Sequence, residues 1–363
     1  MFEQAAEFSD VGAGIQLSPN PSRVLLSLGL GAAIASVAFL PEGTEFRHWR
    51  SGRHINHNPL GATALEKWGA PYYHIHRADL TRVLASAAAA EPGITLHRNT
   101  RVSGFAQSPA GVRVETTSGS HSGAVLIGAD GIHSAVRTGL FGAQSPTFTG
   151  NVAWRGLVPA ERLPDGLIHP VAGVWWGPGK HFVHYFVRGG ELINCVCVVE
   201  KEGWEVESWT ERGDQTELKA DFAGWHETVT ALIDNMDPDA CFKWALFDRP
   251  PMSRWSEGVA TLLGDACHPT LPFMAQGAAM AIEDAAVLAR CLAAGADDIP
   301  ASLLRYESLR KARTAGIQLG SRRNARVFHM RGLKAWARNR AASRAGKGTM
   351  EGLYSYNALE VVT

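Results

Sequence analysis

Short apolar runs alternate with longer amphipathic segments along the chain, which is typical of a mixed α/β protein. Residues 124–127 and 259–263 are apolar and predict two short buried strands. Residues 77–90, rich in alanine, and residues 276–294, with apolar positions at helical spacing, predict two helices. Both apolar runs end at a glycine and are followed by an acidic residue before helical sequence resumes. These strand–turn–helix joins are the places where α/β sheets bind ligands.

The middle of the chain has a different pattern: polar and apolar residues alternate as in strands over residues 45–73 and again over 150–255. Residues 181–187 and 192–199 flank Arg188-Gly-Gly190 and predict a hairpin. On a strand, His181 and Tyr185 project to one face and His184 to the other. A histidine beside a tyrosine could accept a phenolic proton. A histidine satisfied in a polar cross-strand pair explains the same pattern equally well.

Two aspartates follow the two apolar runs. Asp265 stands in Gly264-Asp265 and Asp130 in Gly128-Ala-Asp-Gly131, with Ser134 as the expected N-cap of the next helix. Gln276 and Gly277 open the helix beyond Asp265, and a helix N-terminus of small residues suits an anionic ligand group. A carboxylate that can accept hydroxyl hydrogen bonds lies near such an N-terminus. This combination predicts a large cofactor with both polyol and anionic parts.

One uncharged stretch, residues 24–40, is long enough to test as a membrane span. Gly29, Gly31 and Ser36 interrupt it, and Asn20-Pro21 is a helix-start signal with Gly29 as the stop. We expect a helix–turn–helix of a soluble protein and no membrane span.

Composition adds limits. The chain has 363 residues, of which 45% are hydrophobic and 19% charged, enough for about two globular domains. Its formal net charge is zero, so nucleic acid is not an expected partner. Thirteen Lys and Arg stand against Glu307 alone in residues 302–347, and this basic helical run is expected to lie partly against the acidic remainder. Five cysteines without a CxxC pair indicate reduced core thiols, no metal site and a cytoplasmic location.

Taken in order, these motifs resemble the single-component flavoprotein aromatic hydroxylases, the family of salicylate hydroxylase, 3-hydroxybenzoate 6-hydroxylase and 6-hydroxynicotinate 3-monooxygenase. The segments that carry the resemblance are residues 2–4, 11–20, 76–80, 128–137, 264–269 and 275–279. His181 and Tyr185 fall where family members carry a catalytic His-x-x-x-Tyr. The resemblance implies an FAD site built from Glu3, Gly12, Ala13, Gly14, Arg77, Val102, Asp130, Asp265, Pro269, Ala275, Gln276, Gly277, Ala278 and Ala279.

The resemblance also implies an activity. The expected protein is an FAD-dependent, NAD(P)H-consuming monooxygenase that uses O2 to hydroxylate an aromatic or heteroaromatic hydroxy acid through a flavin hydroperoxide. His181 would accept the phenolic proton and Tyr185 would orient the substrate. Two alternatives stay open: a catalytically impaired family remnant, and a flavin-dependent oxidoreductase without oxygen transfer. A monomer or a homodimer is expected.

The implied fold is a Rossmann-like FAD-binding domain (1–44, 75–150 and 256–300), an inserted β-sheet substrate domain (45–74 and 151–255) and a helical C-terminal segment (301–363). Two departures from the family stand out. The strand, GxGxxG loop and helix that precede the Phe2-Glu3-Gln4 equivalent have no counterpart in the sequence, so the chain is expected to be a fragment or a truncated form. Pro272-Phe273 also replaces a polar, substrate-orienting side chain, which indicates a different substrate.

Overall fold

The computed structural model describes residues 1–8, 14–108, 110–201, 203, 211–344 and 350–362. Its strands are β1 (Gly14–Leu17), β2 (Gly43–His48), β3 (His54–Pro59), β4 (Tyr73–His76), β5 (Val102–Ser108), β6 (Gly111–Thr116), β7 (Gly119–Gly123), β8 (Leu126–Gly128), β9 (Thr147–Pro159), β10 (Val171–Gly177), β11 (Lys180–Val187), β12 (Leu192–Glu200), β13 (Phe242–Asp248), β14 (Ser256–Glu257) and β15 (Ala260–Leu262). Its α-helices are α1 (Pro19–Ser27), α2 (Gly31–Ala35), α3 (Ala62–Trp68), α4 (Arg77–Ala90), α5 (Ala135–Phe141), α6 (Gln215–Asp221), α7 (Glu227–Asp234), α8 (Gly277–Ala294), α9 (Ile299–Phe328), α10 (Gly332–Ala342) and α11 (Glu351–Tyr354).

A seven-stranded sheet in the order β13-β9-β12-β11-β10-β2-β3 dominates the molecule. Only β10 and β2 pair in parallel; the other neighbours are antiparallel. One face, with Trp154, Phe182 and Cys195, packs against α6 and α7 in the largest hydrophobic cluster. Because side chains alternate along each strand, the opposite face carries Arg155, His181, Tyr185 and their neighbours. That second face forms a wall of the candidate site.

The two predicted strand–turn–helix joins lie side by side. β15 pairs in parallel with β8, and β14 completes this small sheet. α8 and α9 pack beside the sheet in a second core around Leu262, Val287 and Leu303. Near the N-terminus, Phe2 forms an isolated parallel bridge with His97. The mixed α/β fold class is therefore confirmed, whereas the division into domains stays a prediction.

Several local predictions need correction. Residues 62–68 form α3 rather than a strand, and its Ala64 and Trp68 are buried among Leu60, Tyr72 and Tyr354. The apolar strand expected at 124–127 begins at Leu126, and the preceding strand is the polar β7, which β6 holds through backbone pairing. Helices α6 and α7 interrupt the stretch that alternation had marked as β-rich.

Much of the basic stretch of residues 302–347 lies in the long helix α9. Arg310 pairs with Glu283 and Asp284, both on α8, and Arg322 pairs with Asp248. The basic face therefore lies partly against acidic neighbours, as expected. All five cysteines are buried free thiols. Among the described residues, no helix combines the length and the hydropathy needed to cross a bilayer.

Candidate active site

A cavity of about 310 Å³ lies between the second face of the large sheet, strand β1 and the loop that leads into α8. The sheet contributes apolar and polar side chains together, and the loop contributes small residues and backbone. The residues that line the cavity are Gly14, Ile15, Gln16, Arg77, Ile132, Arg155, His181, Val183, Tyr185, Val196, Trp244, Ala245, Leu246, Phe247, Asp265, Pro269, Thr270, Leu271, Pro272, Ala275, Gly277 and Ala278.

The cavity brings together most of the residues proposed from the sequence. These are Gly14, Arg77, His181, Tyr185, Asp265, Pro269, Ala275, Gly277 and Ala278. Glu3, Val102, Asp130, Gln276 and Ala279 are not part of its lining. Gly12 and Ala13 lie outside the described residues. Segments that are more than 150 residues apart in the chain therefore meet at one cavity.

Asp265 and the start of α8 form one end of the cavity. Asp265 is exposed to the cavity, but protein surrounds its carboxyl group on the other sides, and this desolvation raises the pKa of that group. His268 and Arg77 oppose that shift and favour the carboxylate. The N-cap Gln276 makes no side-chain capping bond, and the first turn of α8 contains no acidic residue. The N-terminal N–H groups of a long helix thus face the cavity end without a side-chain acceptor.

On the opposite wall, His181, Val183 and Tyr185 are alternate residues of β11, so all three side chains lie on the face that lines the cavity. His181 and Tyr185 are almost fully buried. Burial lowers the pKa of His181 well below its ordinary value, and His329 lowers it further. Burial raises the pKa of Tyr185, although Arg155 opposes the shift. At neutral pH His181 is therefore a neutral imidazole and Tyr185 a neutral phenol.

Comparison with known proteins decides the family. Over 331 residues the chain is 40% identical to 3-amino-4-hydroxybenzoate 2-monooxygenase PtnB3 of Streptomyces platensis, covering 91% of this chain and 82% of that protein. It is 38% identical over 328 residues to 6-hydroxynicotinate 3-monooxygenase of Bordetella bronchiseptica, covering 89% of this chain and 84% of that one. Residues 1–318 match the family described as FAD binding domain. The chain belongs to the FAD-dependent aromatic hydroxylases.

A solved structure agrees with this hydroxylase in fold. Klebsiella pneumoniae HpxO, crystallised with FAD and uric acid, superposes with a TM-score of 0.86 at 28% identity, covering 99% of this chain and 90% of that one. The family resemblance inferred from the motifs is thereby confirmed, and with it FAD as the cofactor. The individual site residues are not tested by these comparisons and stay predictions.

The hydroxylase site fits a flavin cofactor on its own chemistry. Asp265 can accept hydrogen bonds from the hydroxyl groups of a ribityl chain, and the start of α8 can stabilise negative charge on the flavin pyrimidine. Small residues there let a planar group approach the backbone. Ala275 even adopts a left-handed backbone (φ 53°) that few residues with a side chain tolerate, immediately before the helix begins. The residues that would hold the flavin end are therefore present.

Gln276 takes a role in the hydroxylase that the sequence did not predict. Its side chain is buried, donates to the Ser18 hydroxyl group (3.0 Å) and accepts from the Asn20 amide (3.0 Å). Asn20 also donates to Glu283 (2.6 Å). These bonds fasten the end of β1 to the start of α8, so Gln276 positions the two backbone segments that line the cavity.

A buried ionic cluster also holds the turn at Gly264 against α8. Asp284 lies 2.7 Å from Arg310 and 2.5 Å from His268, and it accepts the N–H of Gly264 (3.2 Å). Burial alone would raise the pKa of Asp284, but His268 and Arg310 hold it below its ordinary value. Cys267, His268 and Asp284 are close enough to share a metal ion. The pairing of Asp284 with Arg310 already accounts for this charge without one.

Besides Gln276, four of the predicted cofactor residues lie outside the cavity lining. Asp130 accepts from the Ser134 hydroxyl group (2.5 Å) and from the N–H groups of Ala135 and Val136, so it caps α5. Glu3 accepts from the N–H of Ala5 (2.8 Å). Val102 begins β5, opposite Thr116. Ala279 is fully buried in the first turn of α8. Their contribution to cofactor binding stays a prediction.

Arg155 is the main residue of the cavity that motif reasoning missed. It lies on β9, lines the cavity and stacks on the face of Trp244, with 4.4 Å between the guanidinium carbon and the ring centroid. Burial lowers its pKa to about 10, so it stays charged at neutral pH. The available signal was its strand position, because Arg155 alternates with Trp154, whose side chain packs into the hydrophobic cluster on the opposite face.

Proposed function

We propose that the chain is an NAD(P)H- and O2-consuming monooxygenase that hydroxylates an aromatic or heteroaromatic hydroxy acid. The observation that carries the proposal is that one sheet face presents both a proton acceptor and a cation to the same cavity. A neutral imidazole (His181) and a guanidinium (Arg155) line the same cavity, whose far end holds Asp265 and the start of α8. When bound, FAD would supply the activation of oxygen, a reaction that side chains cannot perform.

The protein's part is to bind, orient and ionise the substrate. Arg155 would pair with the carboxylate, and its stacking on Trp244 keeps the guanidinium fixed in a mostly apolar pocket. His181, neutral because burial lowers its pKa, would accept the phenolic proton. The resulting phenolate is electron-rich and therefore more open to attack by an oxygen electrophile. Tyr185, held as a neutral phenol, would orient the substrate through a hydrogen bond.

The substrate class has support from two directions. The relatives act on 3-amino-4-hydroxybenzoate and 6-hydroxynicotinate, which both carry a ring hydroxyl group and a carboxylate. Independently, Arg155 and His181 provide one partner for each of these groups. Pro272 and Leu271 add apolar surface at the loop side of the cavity. The proposal therefore specifies a hydroxy acid but not the position of ring hydroxylation.

The test uses FAD-loaded protein with 4-hydroxybenzoate, 6-hydroxynicotinate and 3-amino-4-hydroxybenzoate, compared with phenol. For whichever acid is turned over, Arg155→Met should raise KM about 10- to 100-fold, the loss expected for a charge-assisted contact. It should leave the weak binding of phenol unchanged.

His181→Ala should lower the amount of hydroxylated product about 100-fold while substrate-stimulated NAD(P)H oxidation persists. Unchanged product formation in His181→Ala would remove this residue from the reaction.

A further inference from the structure

A chain of side chains leads from the cavity wall to the protein surface. Nδ1 of His181 lies 2.8 Å from Nε2 of His329, and Nδ1 of His329 lies 3.2 Å from a carboxylate oxygen of Glu200. His181 and His329 are 3% and 4% exposed, whereas the Glu200 side chain is 43% exposed. The chain therefore begins at a buried imidazole and ends at a carboxylate in contact with solvent.

The carboxylate at the outer end determines where the hydrogens sit. An ionised Glu200 only accepts hydrogen bonds, so Nδ1 of His329 must carry a hydrogen. In the neutral ring Nε2 of His329 is then an acceptor, and the hydrogen between the two rings belongs to Nδ1 of His181. Nε2 of His181 is consequently left with its lone pair. This is the form of the ring that can accept a proton from a cavity ligand.

Local structure holds the three residues in line. The N–H of Gly179 donates to the carbonyl oxygen of His329 (3.0 Å), and the carbonyl oxygen of Gly179 accepts from the N–H of Glu200 (2.9 Å). Arg331 binds the second Glu200 oxygen at 2.8 Å. A single turn between β10 and β11 thus joins the end of α9 to the end of β12.

Aromatic rings enclose the inner part of this chain. The His181 ring lies 5.1 Å from Phe273 and 5.3 Å from Phe328, measured between centroids, and 5.1 Å from His329. Phe273 also lies 5.9 Å from His329. Since these apolar rings cover the two imidazoles, His329 offers His181 a polar route outward within the described structure.

We propose that His181, His329 and Glu200 form a proton relay that carries the substrate's phenolic proton from the cavity to solvent. This inference rests on the proposed function, in which His181 accepts that proton. The O–H bond of the phenol breaks and an N–H bond forms at Nε2 of His181, while the hydrogen on Nδ1 passes to Nε2 of His329. The Nδ1 hydrogen of His329 passes to Glu200, which releases it to water. A phenolate stays in the cavity, and each imidazole ends neutral.

The charges around His329 suit transfer rather than storage of a proton. Burial lowers its pKa to about 4, Glu200 opposes that shift, and Arg331 and Arg338 add to it. The C-terminal end of α9, where His329 follows Phe328, favours a transient imidazolium. Neither ring therefore keeps the proton at neutral pH, and the exposed carboxylate is the natural point of release.

The test follows ionisation directly, without turnover. 4-Hydroxy-3-nitrobenzoate, a hydroxy acid whose phenolate absorbs visible light, is mixed with FAD-loaded protein in a stopped-flow instrument at a pH below the phenol's own pKa. His329→Gln and the surface variant Glu200→Gln should each slow phenolate formation about 100-fold, the scale of general-base assistance. Binding of the preformed phenolate at high pH should stay within about twofold. Glu191→Gln, at the other end of β12, is the matched control and should behave as the unmodified protein.

Two further results complete the design. In His329→Ala, added imidazole should restore the rate of phenolate formation, because a small base can occupy the space and pass the proton. Unchanged ionisation rates in both His329→Gln and Glu200→Gln, with ionisation lost in His181→Gln, would overturn the relay and leave the proposed function standing. Full ionisation in His181→Gln would overturn both. Rate losses matched by weaker binding of the preformed phenolate would show a structural role and also overturn the relay.

Discussion

Gly14 shows at the scale of one residue how the cavity depends on the absence of a side chain. Its N–H donates to the Asn194 side chain at 2.7 Å, which draws β1 against the large sheet. A Cβ atom built on Gly14 would lie 2.8 Å from the hydroxyl oxygen of Tyr185 and closer still to its ring. The close approach of this backbone to Tyr185 is therefore possible only with glycine.

We expect Gly14→Ala to displace Tyr185 and to lower both stability and catalysis. Overpacking of a filled interior costs about 1–3 kcal/mol, and a misplaced orienting group costs further activity. Urea unfolding and the rate of hydroxylated product formation measure the two effects. Gly316→Ala is the matched control: it lies exposed within α9 with nothing near its Cβ position, and should stabilise by about 0.5–1 kcal/mol. Full activity in Gly14→Ala would contradict the assigned contact.

At the scale of elements, α8 and α9 are joined by charges that lie in the second core rather than on its surface. Arg310 is fully buried between Glu283 and Asp284, and Arg313 reaches Glu283 at 2.8 Å. Neighbouring carboxylates raise the pKa of Arg310 against the effect of burial. Asp284 in turn holds Gly264, so the ion cluster reaches the turn that presents Asp265.

Removal of Arg310 should therefore be costly. Arg310→Ala removes the buried guanidinium that Glu283 and Asp284 share, and breaking a buried ion pair destabilises by about 3–5 kcal/mol. Equilibrium unfolding in urea should show that loss. The adjacent Lys311 pairs with Glu307 near the surface, with its own side chain 41% exposed. Lys311→Ala should change stability by less than about 1 kcal/mol. Equal effects of the two substitutions would show that burial of the ion cluster contributes nothing.

The elements that were predictable from sequence are those with a complete local signal. α4 spans the predicted residues 77–90, and α8 begins beside the predicted Gln276. α4 has a 14-residue run rich in alanine, whereas α8 follows an apolar strand and a turn. α3 was misassigned because seven residues are too short for a helical period to outweigh alternation.

The parts of the site that escaped prediction depend on distant pairings. His329 lies 148 residues from His181, Asn194 lies 180 from Gly14, and Gln276 lies 258 from Ser18. Such pairs leave no periodic trace, because each partner alone is an ordinary polar residue of its own element. Motif matching found nine of the residues that line the cavity. It could not find Arg155, or the buried residues that hold the cavity in shape.

At the scale of the whole molecule, neutral histidines buried in several regions should make stability depend on pH. Burial lowers the pKa of His74 and of His184 to about 3, and that of His329 to about 4. His74 lies beside Tyr185, with 4.6 Å between the ring centroids, and His184 lies on the opposite sheet face, 6.3 Å from Trp175. These groups fold in their uncharged form, whereas an unfolded histidine gains a proton near pH 6.5.

The free energy of unfolding should consequently fall as the pH decreases from 7 to 5. Below pH 6.5 the unfolded chain binds protons that the folded chain does not, and this favours unfolding by about 1–2 kcal/mol per buried histidine at pH 5. Asp284, whose pKa is lowered in the folded protein, reduces the free energy of unfolding only below about pH 4, where an unfolded aspartate becomes protonated.

Urea titrations at pH 7, 6 and 5 measure how steeply the free energy of unfolding falls with pH. His184→Phe should reduce this pH dependence of the free energy of unfolding by the contribution of one buried histidine. His54→Gln, at the exposed start of β3, is the control for the loss of a histidine elsewhere. A free energy that stays constant from pH 7 to 5 would mean that these histidines are already accessible to protons in the folded protein.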